Sequence, residues 1–530
     1  MEARVDQLPA PAARRGSRAR TAALAFALIG VVVAAPSGCT VHNARKDVAS
    51  PVSLPERWSS ATGERAPGSR WWIDLGDDRL TAVIERALAG NFDLLRTWAR
   101  FDQARAIADQ AGAAASPQVS LEAGLAANRQ TLFAGGKIGE LSFTTTTFPL
   151  SIGASYEVDL WGRVAAQRAA AARDVEASRQ DLAAAAMSVA AQVGDLWFQI
   201  CEQRGLRRLN EDQLTLVRTY LGLVENRFAQ GLASSVDVLQ QRQQIGALLA
   251  QVPQIDSRTE VLVQQLALLI GVAPDAAFQR ELVADACETL PTPPPLPDAG
   301  VPAKLLDMRP DVRAARLRVL AADERIGAAI ADRFPALRLS GRTGFQGRDN
   351  VSTIFNTWVW SLAANAIAPL VDGGRRKAEV RRSKAAVREQ LASYAQVILR
   401  AIGEVEAAIA QERGVSRHVA AIDDQITLAK ATLGEARNRF AQGASDYLPV
   451  LIALQSVQNL ERGRLASSRA RLTYRIQLCR ALGGTWTDDM ARPPGAQADA
   501  QDDESDARAD GSEDDGSQNK NADPASGDRP

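Results

Sequence analysis

The chain is poor in the residues that most often carry chemistry. Its 530 residues include two histidines, His42 and His418, and four cysteines. No HxxxH, CxxC or paired-carboxylate cluster stands out, which speaks against a metal site and against histidine-dependent catalysis. Cys39 sits near the N-terminus, while Cys201, Cys287 and Cys479 lie far apart and are odd in number. No disulfide framework is expected from that spacing, and Cys201 and Cys479 read as packing residues of helical stretches. Hydrophobic residues make up 46% of the chain, yet no run after the N-terminus resembles a membrane-spanning helix. The formal net charge is zero, with no concentrated basic patch and no nucleic-acid motif, so no nucleic-acid partner is expected. Nothing in this inventory supports an enzyme.

Proline is also missing where it matters. None occurs between Trp161 and Val252, or between Val371 and Leu448. Both stretches are rich in Ala, Leu, Gln, Arg and Glu, which favour helix. Val175, Leu182, Val189 and Leu196 recur every seventh residue, and Val387, Leu391, Tyr394, Ile398, Ile402, Val405 and Ile409 alternate steps of three and four. That is a coiled-coil seam. The spacing predicts helices close to 100 Å long at about 1.5 Å per residue, and hence an elongated molecule.

The two stretches are copies. Arg227-Phe228-Ala229-Gln230-Gly231 recurs as Arg439-Phe440-Ala441-Gln442-Gly443, Gly162-Arg163 recurs as Gly374-Arg375, and Gly222 recurs as Gly434. All keep one offset, so the chain is an internal duplication. Before each long helix the period changes from 3.6 to two. Leu150, Ile152, Ala154, Tyr156, Val158 and Leu160 alternate with Ser151, Gly153, Ser155, Glu157 and Asp159. Strands are expected over about 117–127, 143–160, 336–347 and 357–370, each with an apolar and a polar face. Either the apolar face covers a soluble core, or it meets lipid while the polar face lines a lumen. Four strands cannot close a barrel in lipid without unsatisfied edges, so a membrane role requires several chains.

The ends read differently. Arg14, Arg15, Arg18 and Arg20 precede an apolar run to Ala35, an export signal over residues 1–38. Pro36-Ser37-Gly38-Cys39 is similar to a lipoprotein cleavage box, apart from Pro36, and makes Cys39 the expected lipid anchor. Thr40 in place of Asp favours the outer membrane. Residues 39–70 are expected to form a tether. The repeats span 71–272 (long helices 162–271) and 310–490 (long helices 374–483), joined by a proline-rich linker over 273–309. Residues 491–530 form a tail in which, from Gln497 on, eleven acidic residues face three basic ones, a composition expected to be disordered.

Trp71-Trp72, Tyr156-Glu157-Val158-Asp159-Leu160-Trp161-Gly162-Arg163, Ala368-Pro369-Leu370-Val371-Asp372-Gly373-Gly374-Arg375 and the two Arg-Phe-Ala-Gln-Gly turns together carry a resemblance to the TolC/OprM family of outer-membrane efflux channels, in its lipoprotein (NodT-like) branch. The resemblance covers roughly Leu54 to Met490. It implies a mainly α protomer with membrane β-strands, three copies forming a 12-stranded β-barrel in the outer membrane and a 12-helix α-barrel in the periplasm of a Gram-negative cell. It implies as partners a periplasmic adaptor and an inner-membrane RND-type transporter, with no cofactor besides the lipid on Cys39. The strand-to-helix junctions match Asp159, Trp161, Gly162 and Arg163, and Asp372, Gly373, Gly374 and Arg375. The tips that gate the channel and dock the adaptor match Arg227, Phe228, Gly231 and Asp237, and Arg439, Phe440, Gly443, Asp446, Tyr447 and Leu448. Pro449 and Ile452 stand where family members often place carboxylates, and an apolar constriction of Phe440, Tyr447 and Leu448 is expected instead. The implied function is a passive exit channel for drugs or other small toxic compounds. The alternatives are a type I protein-secretion duct and a periplasmic coiled-coil scaffold.

Overall fold

In a computed structural model, residues 41–59, 70–133, 140–275, 287, 289–488 and 490–493 are described. The expected signal segment, Cys39, parts of the tether and linker, and nearly all of the acidic tail lie outside them. The elements are α1 (Asp78–Gly90), α2 (Phe92–Ala113), β1 (Gln118–Ala123), β2 (Ala126–Phe133), β3 (Glu140–Val158), α3 (Arg163–Ala229), α4 (Ser235–Ile270), α5 (Pro310–Ala331), β4 (Ala336–Arg348), β5 (Trp358–Ile367), α6 (Arg375–Ala441) and α7 (Leu448–Leu482). The helices α3 and α6 are each 67 residues long, about 100 Å at 1.5 Å per residue.

The chain divides into two compact units. Among the described residues, one comprises 41–46, 108–133, 140–171 and 320–387 and holds the whole sheet. Its strands are antiparallel in the order β1-β3-β4-β5, with β2 also on β3. β1 and β2 are a single strand in register: Ala123 pairs with Leu150 and Ala126 with Thr147. The gap falls opposite Pro149. Gly124 donates its N–H to the Pro149 carbonyl at 3.0 Å, but proline has no N–H to return. The first strand thus runs on to Phe133, beyond the expected 127, and β5 stops at Ile367, short of the expected 370.

The other unit, formed by the described residues within 47–107, 172–319 and 388–493, is helical. Its larger core gathers Trp71, Trp72, Leu80, Ile84, Trp197, Phe198, Leu262 and Leu266. The N-cap of α1, Asp77, accepts from the backbone of Arg79 and Leu80 and also from the Trp197 indole at 2.8 Å, locking α1 onto α3. Gly194 lets Trp71 and Ile476 approach α3, since a Cβ there would meet Trp71 at 2.8 Å.

One expectation about this unit is corrected. Cys201 is not a mere packing residue: it forms a disulfide with Cys287 across 86 residues, joining α3 to the linker. The odd count misled because Cys479 is the free one, buried in α7. Two charged side chains of the helical seam, Glu412 and Arg475, face inward as a fully buried pair with 3.0 Å contacts.

Candidate functional site

Register gives the sheet two faces. Directly paired residues share a face, so Val119, Ile152, Thr343 and Trp360 lie with Leu121, Leu150, Phe345 and Trp358 on one side. The rows Tyr156–Leu339 and Val158–Leu337 extend that apolar band. On the other side lie Ser120, Glu122, Ser151, Ser155, Glu157, Arg338, Ser340, Arg342 and Gln346. Most of the apolar set is exposed, with Leu121 at 72%, Trp358 at 63% and Trp360 at 66%, while Leu150 and Phe345 are half-buried. From Phe148 to Val158 the outer residues of β3 span about 33 Å along the strand at 3.3 Å per residue, or about 25 Å of height at a barrel's tilt. This exposed face matches the apolar thickness of a membrane, with the polar face turned from it.

Each strand-to-helix junction is a tight turn that starts a long helix. In the first, Gly162 takes φ 73°, and Asp159 caps α3 by accepting from the Ala165 N–H at 2.8 Å. Trp161 stacks on Phe334 and donates to the Pro335 carbonyl at 2.8 Å. Arg163 grips Glu157 through two nitrogens, at 3.0 and 2.7 Å. In the second, Gly373 and Gly374 take φ 63° and 84°. Asp372 accepts from the N–H groups of Gly374 and Arg376, at 2.9 and 3.1 Å. The Arg376 N–H, foremost among these donors, lowers the Asp372 pKa. Arg375, by contrast, stays exposed.

The tips explain their repeated pentapeptide. Gly231 and Gly443 both take φ 74°. In the first turn, Leu232 donates to Arg227 O at 2.8 Å and Gly231 to Phe228 O at 2.9 Å. In the second, Ala444 donates to Arg439 O at 2.9 Å and Gly443 to Phe440 O at 3.0 Å. Both are Schellman ends, which need a left-handed residue and therefore favour Gly. Asp237 completes a capping box with Ser234 at the start of α4.

Side chains divide the tip residues into two groups. Phe228 and Leu448 are about half exposed, joined on the surface by Leu232, Val236, Leu239 and Ile452. Asp446 and Arg439 are exposed as well. Phe440 and Tyr447 are buried, packed edge to face in a cluster with Val217, Val224, Leu248 and Leu454. The constriction expected from Phe440, Tyr447 and Leu448 is thereby corrected: two of the three are core residues of one chain, leaving Leu448 outside. Tyr447 donates to Gln241 Oε1 at 2.7 Å, and burial pushes its hydroxyl pKa upward. Arg227 spans the two tips, donating to Ala441 O at 3.0 Å with its guanidinium 4.5 Å from the Phe440 ring centroid. Sequence reasoning missed Gln241, whose amide donates to the Val217 carbonyl within the first hairpin, and Gln244, Gln455 and Gln458, which form further hydrogen bonds between the hairpins. Their only sequence signal was polar residues falling on a heptad seam.

A sheet with one lipid-fitting and one polar face, two open edges, and a pair of long coiled-coil hairpins define a protomer of a membrane-spanning channel. Residues 83–272 and 301–484 match the sequence profile of the outer membrane efflux protein family. The chain is 30% identical to the pyoverdine export outer membrane protein OpmQ of Pseudomonas putida, over 83% of this chain and 93% of that protein. It is 28% identical to the outer membrane protein OprJ of Pseudomonas aeruginosa, over 87% and 96%. The structure of the outer-membrane channel OprN superposes with a TM-score of 0.76 at 27% identity, covering 85% of this chain and all of that one. The chain belongs to the outer membrane efflux protein family and is an outer-membrane efflux channel component. Members of the family are trimeric channels of tripartite pumps.

Proposed function

We propose that three copies of this chain close a passive conduit through which an RND-type inner-membrane transporter, bridged by a periplasmic adaptor, expels small compounds across the outer membrane. The conduit catalyses no reaction. The observation that carries this reading is the pair of open edges on a sheet with one lipid-fitting face. The edge of β1 and β2 and the edge of β5 leave backbone groups unpaired, which lipid does not tolerate. Each edge is satisfied by its counterpart on the next copy, and three four-strand units give twelve strands. Cys39 carries the lipid that fixes the N-terminus to the periplasmic leaflet. The exposed apolar tip residues Phe228, Leu232, Leu448 and Ile452 receive the adaptor, and the Arg227 link between the hairpins holds the tips in the unengaged state.

Pairs of introduced cysteines test the closure, one on β1 or β2 and one on β5. The expected products on non-reducing gels are dimers and trimers with nothing larger. A ladder beyond three, or monomers from every pair, would sink the trimeric conduit. A strain lacking the gene should accumulate dyes and antibiotics while secreting its usual proteins.

A further inference from the structure

We infer that the barrel exit favours anionic cargo, small organic anions in particular, because the lumen face of each sheet carries a surplus arginine at its outer end. The inference rests on the conduit reading above. Alternation along the paired strands places five charged residues on the polar face: Glu122, Glu157, Arg338, Arg342 and Arg348. Three cations less two carboxylates leave one positive charge per chain, and three in a trimer.

The pairing pattern locates the surplus. Arg342 contacts Glu122. Glu157 is shared by Arg163 at 2.7 Å and Arg338 at 3.5 Å. Both carboxylates are therefore engaged, and each arginine on them is at least partly neutralised. Arg348 pairs its backbone with Thr147 in the last row of the β3–β4 ladder. It is exposed, and its side chain has no carboxylate partner among the described residues. Asp349 beside it does not cancel the charge within the lumen. It lies past the end of β4 with a left-handed backbone at φ 60°, and its carboxylate is held by the Thr146 N–H at 3.2 Å.

Because β4 leaves α5 at Ala336, Arg348 lies at the end of the strand remote from the helices. In the closed barrel it stands at the extracellular mouth. Three such arginines around a narrow aqueous opening with low-dielectric walls raise the local concentration of anions and lower that of cations. A ring of fixed charge of this kind favours leaving solutes of opposite sign without binding one of them in a dedicated site.

The test is the reversal potential of the purified trimer in planar bilayers under a potassium chloride gradient. The wild type should pass chloride in preference to potassium. Arg348→Glu changes the face from three positive charges per trimer to three negative, so the preference should invert. A change of about one kT in mouth potential alters the anion-to-cation ratio by roughly sevenfold. Arg129→Glu makes the same charge change on the same sheet, but Arg129 lies on the lipid-side parity opposite Thr144. It should leave the ratio where it was. An unchanged ratio in Arg348→Glu, or an equal shift in Arg129→Glu, overturns the inference and spares the conduit. A stable trimer that stays without conductance even when Arg227→Ala releases the tips overturns the conduit itself, and this inference with it.

Discussion

Removing the Cys201–Cys287 bond perturbs the helical unit at its base. The bond closes a loop of 86 residues that contains the end of α3, the whole first tip and α4. Chain-entropy reasoning assigns such a loop about 4.6 kcal/mol of stabilisation at 25 °C, an amount that comes from restricting the unfolded chain. Cys201 is itself buried in the Trp72–Trp197 core, so serine there adds a hydroxyl to an apolar site. Alanine at both positions isolates the loop effect. With an unfolding entropy near 2.1 cal/mol/K per residue, a loss of that size lowers the melting temperature by about 4 °C in a chain of this length. The assay is thermal unfolding of the detergent-purified protein with and without reductant, beside Cys201→Ala/Cys287→Ala. Reductant should reproduce the double variant in the wild type and do nothing to the variant. Two additional thiols alkylated in denatured, unreduced protein would refute the bond. Equal melting of wild type and double variant would refute the entropic argument.

Three further outcomes follow from the same unit. Glu412→Gln strips the carboxylate from Arg475 in a site with almost no solvent access, and should destabilise by about 3–5 kcal/mol, whereas Glu412→Leu with Arg475→Met should recover most of it in the same urea titration. Burial raises the Cys479 thiol from 9.0 to about 12. The folded chain then keeps a proton that the unfolded chain loses, so stability falls as pH rises between these values. Cys479→Ala should flatten that slope, and the native thiol should resist alkylation at pH 8. Arg227→Ala removes a ring contact and a hydrogen bond linking the tips, together worth about 1–3 kcal/mol. It should admit bulky antibiotics in the absence of the pump, and unchanged uptake would argue against a latch.

Much of this was legible in the chain because the signals were local or periodic. The Schellman turns need a left-handed residue, so Gly231 and Gly443 mark both tips without any knowledge of packing. The strands show alternation from Leu150 to Val158 because one face meets apolar surroundings and the other water. Above Phe148 that asymmetry disappears. Thr144, Thr145, Thr146 and Thr147 are polar on both faces, so the upper part of β3 and its partner β2 carried no period-two pattern. The Cys201–Cys287 bond had no local signature, since its partners sit in different kinds of segment 86 residues apart. Glu412 and Arg475 carried no signal either, because composition alone does not say which charges are paired inside.

The aromatic tip residues were misplaced for a more instructive reason. An offset of 212 carries Ser234 onto Asp446 and Asp237 onto Pro449. The first tip starts its return helix with a reciprocal capping box, a device contained within four residues. Pro449 has no side-chain acceptor, so the second copy cannot repeat the box. There α7 begins at Leu448 behind Tyr447, whose side chain makes no cap bond. What fixes that end is tertiary: Tyr447 is buried against Phe440 and donates to Gln241 on α4. The duplication has therefore diverged from a self-capped hairpin to one whose return depends on its neighbour. Phe440 and Tyr447 carry that dependence, since removing either exposes an unanchored helix start. A pore-lining role and an inter-hairpin anchor place the same aromatic residues at the same sequence positions, and only the direction of the side chains separates the two.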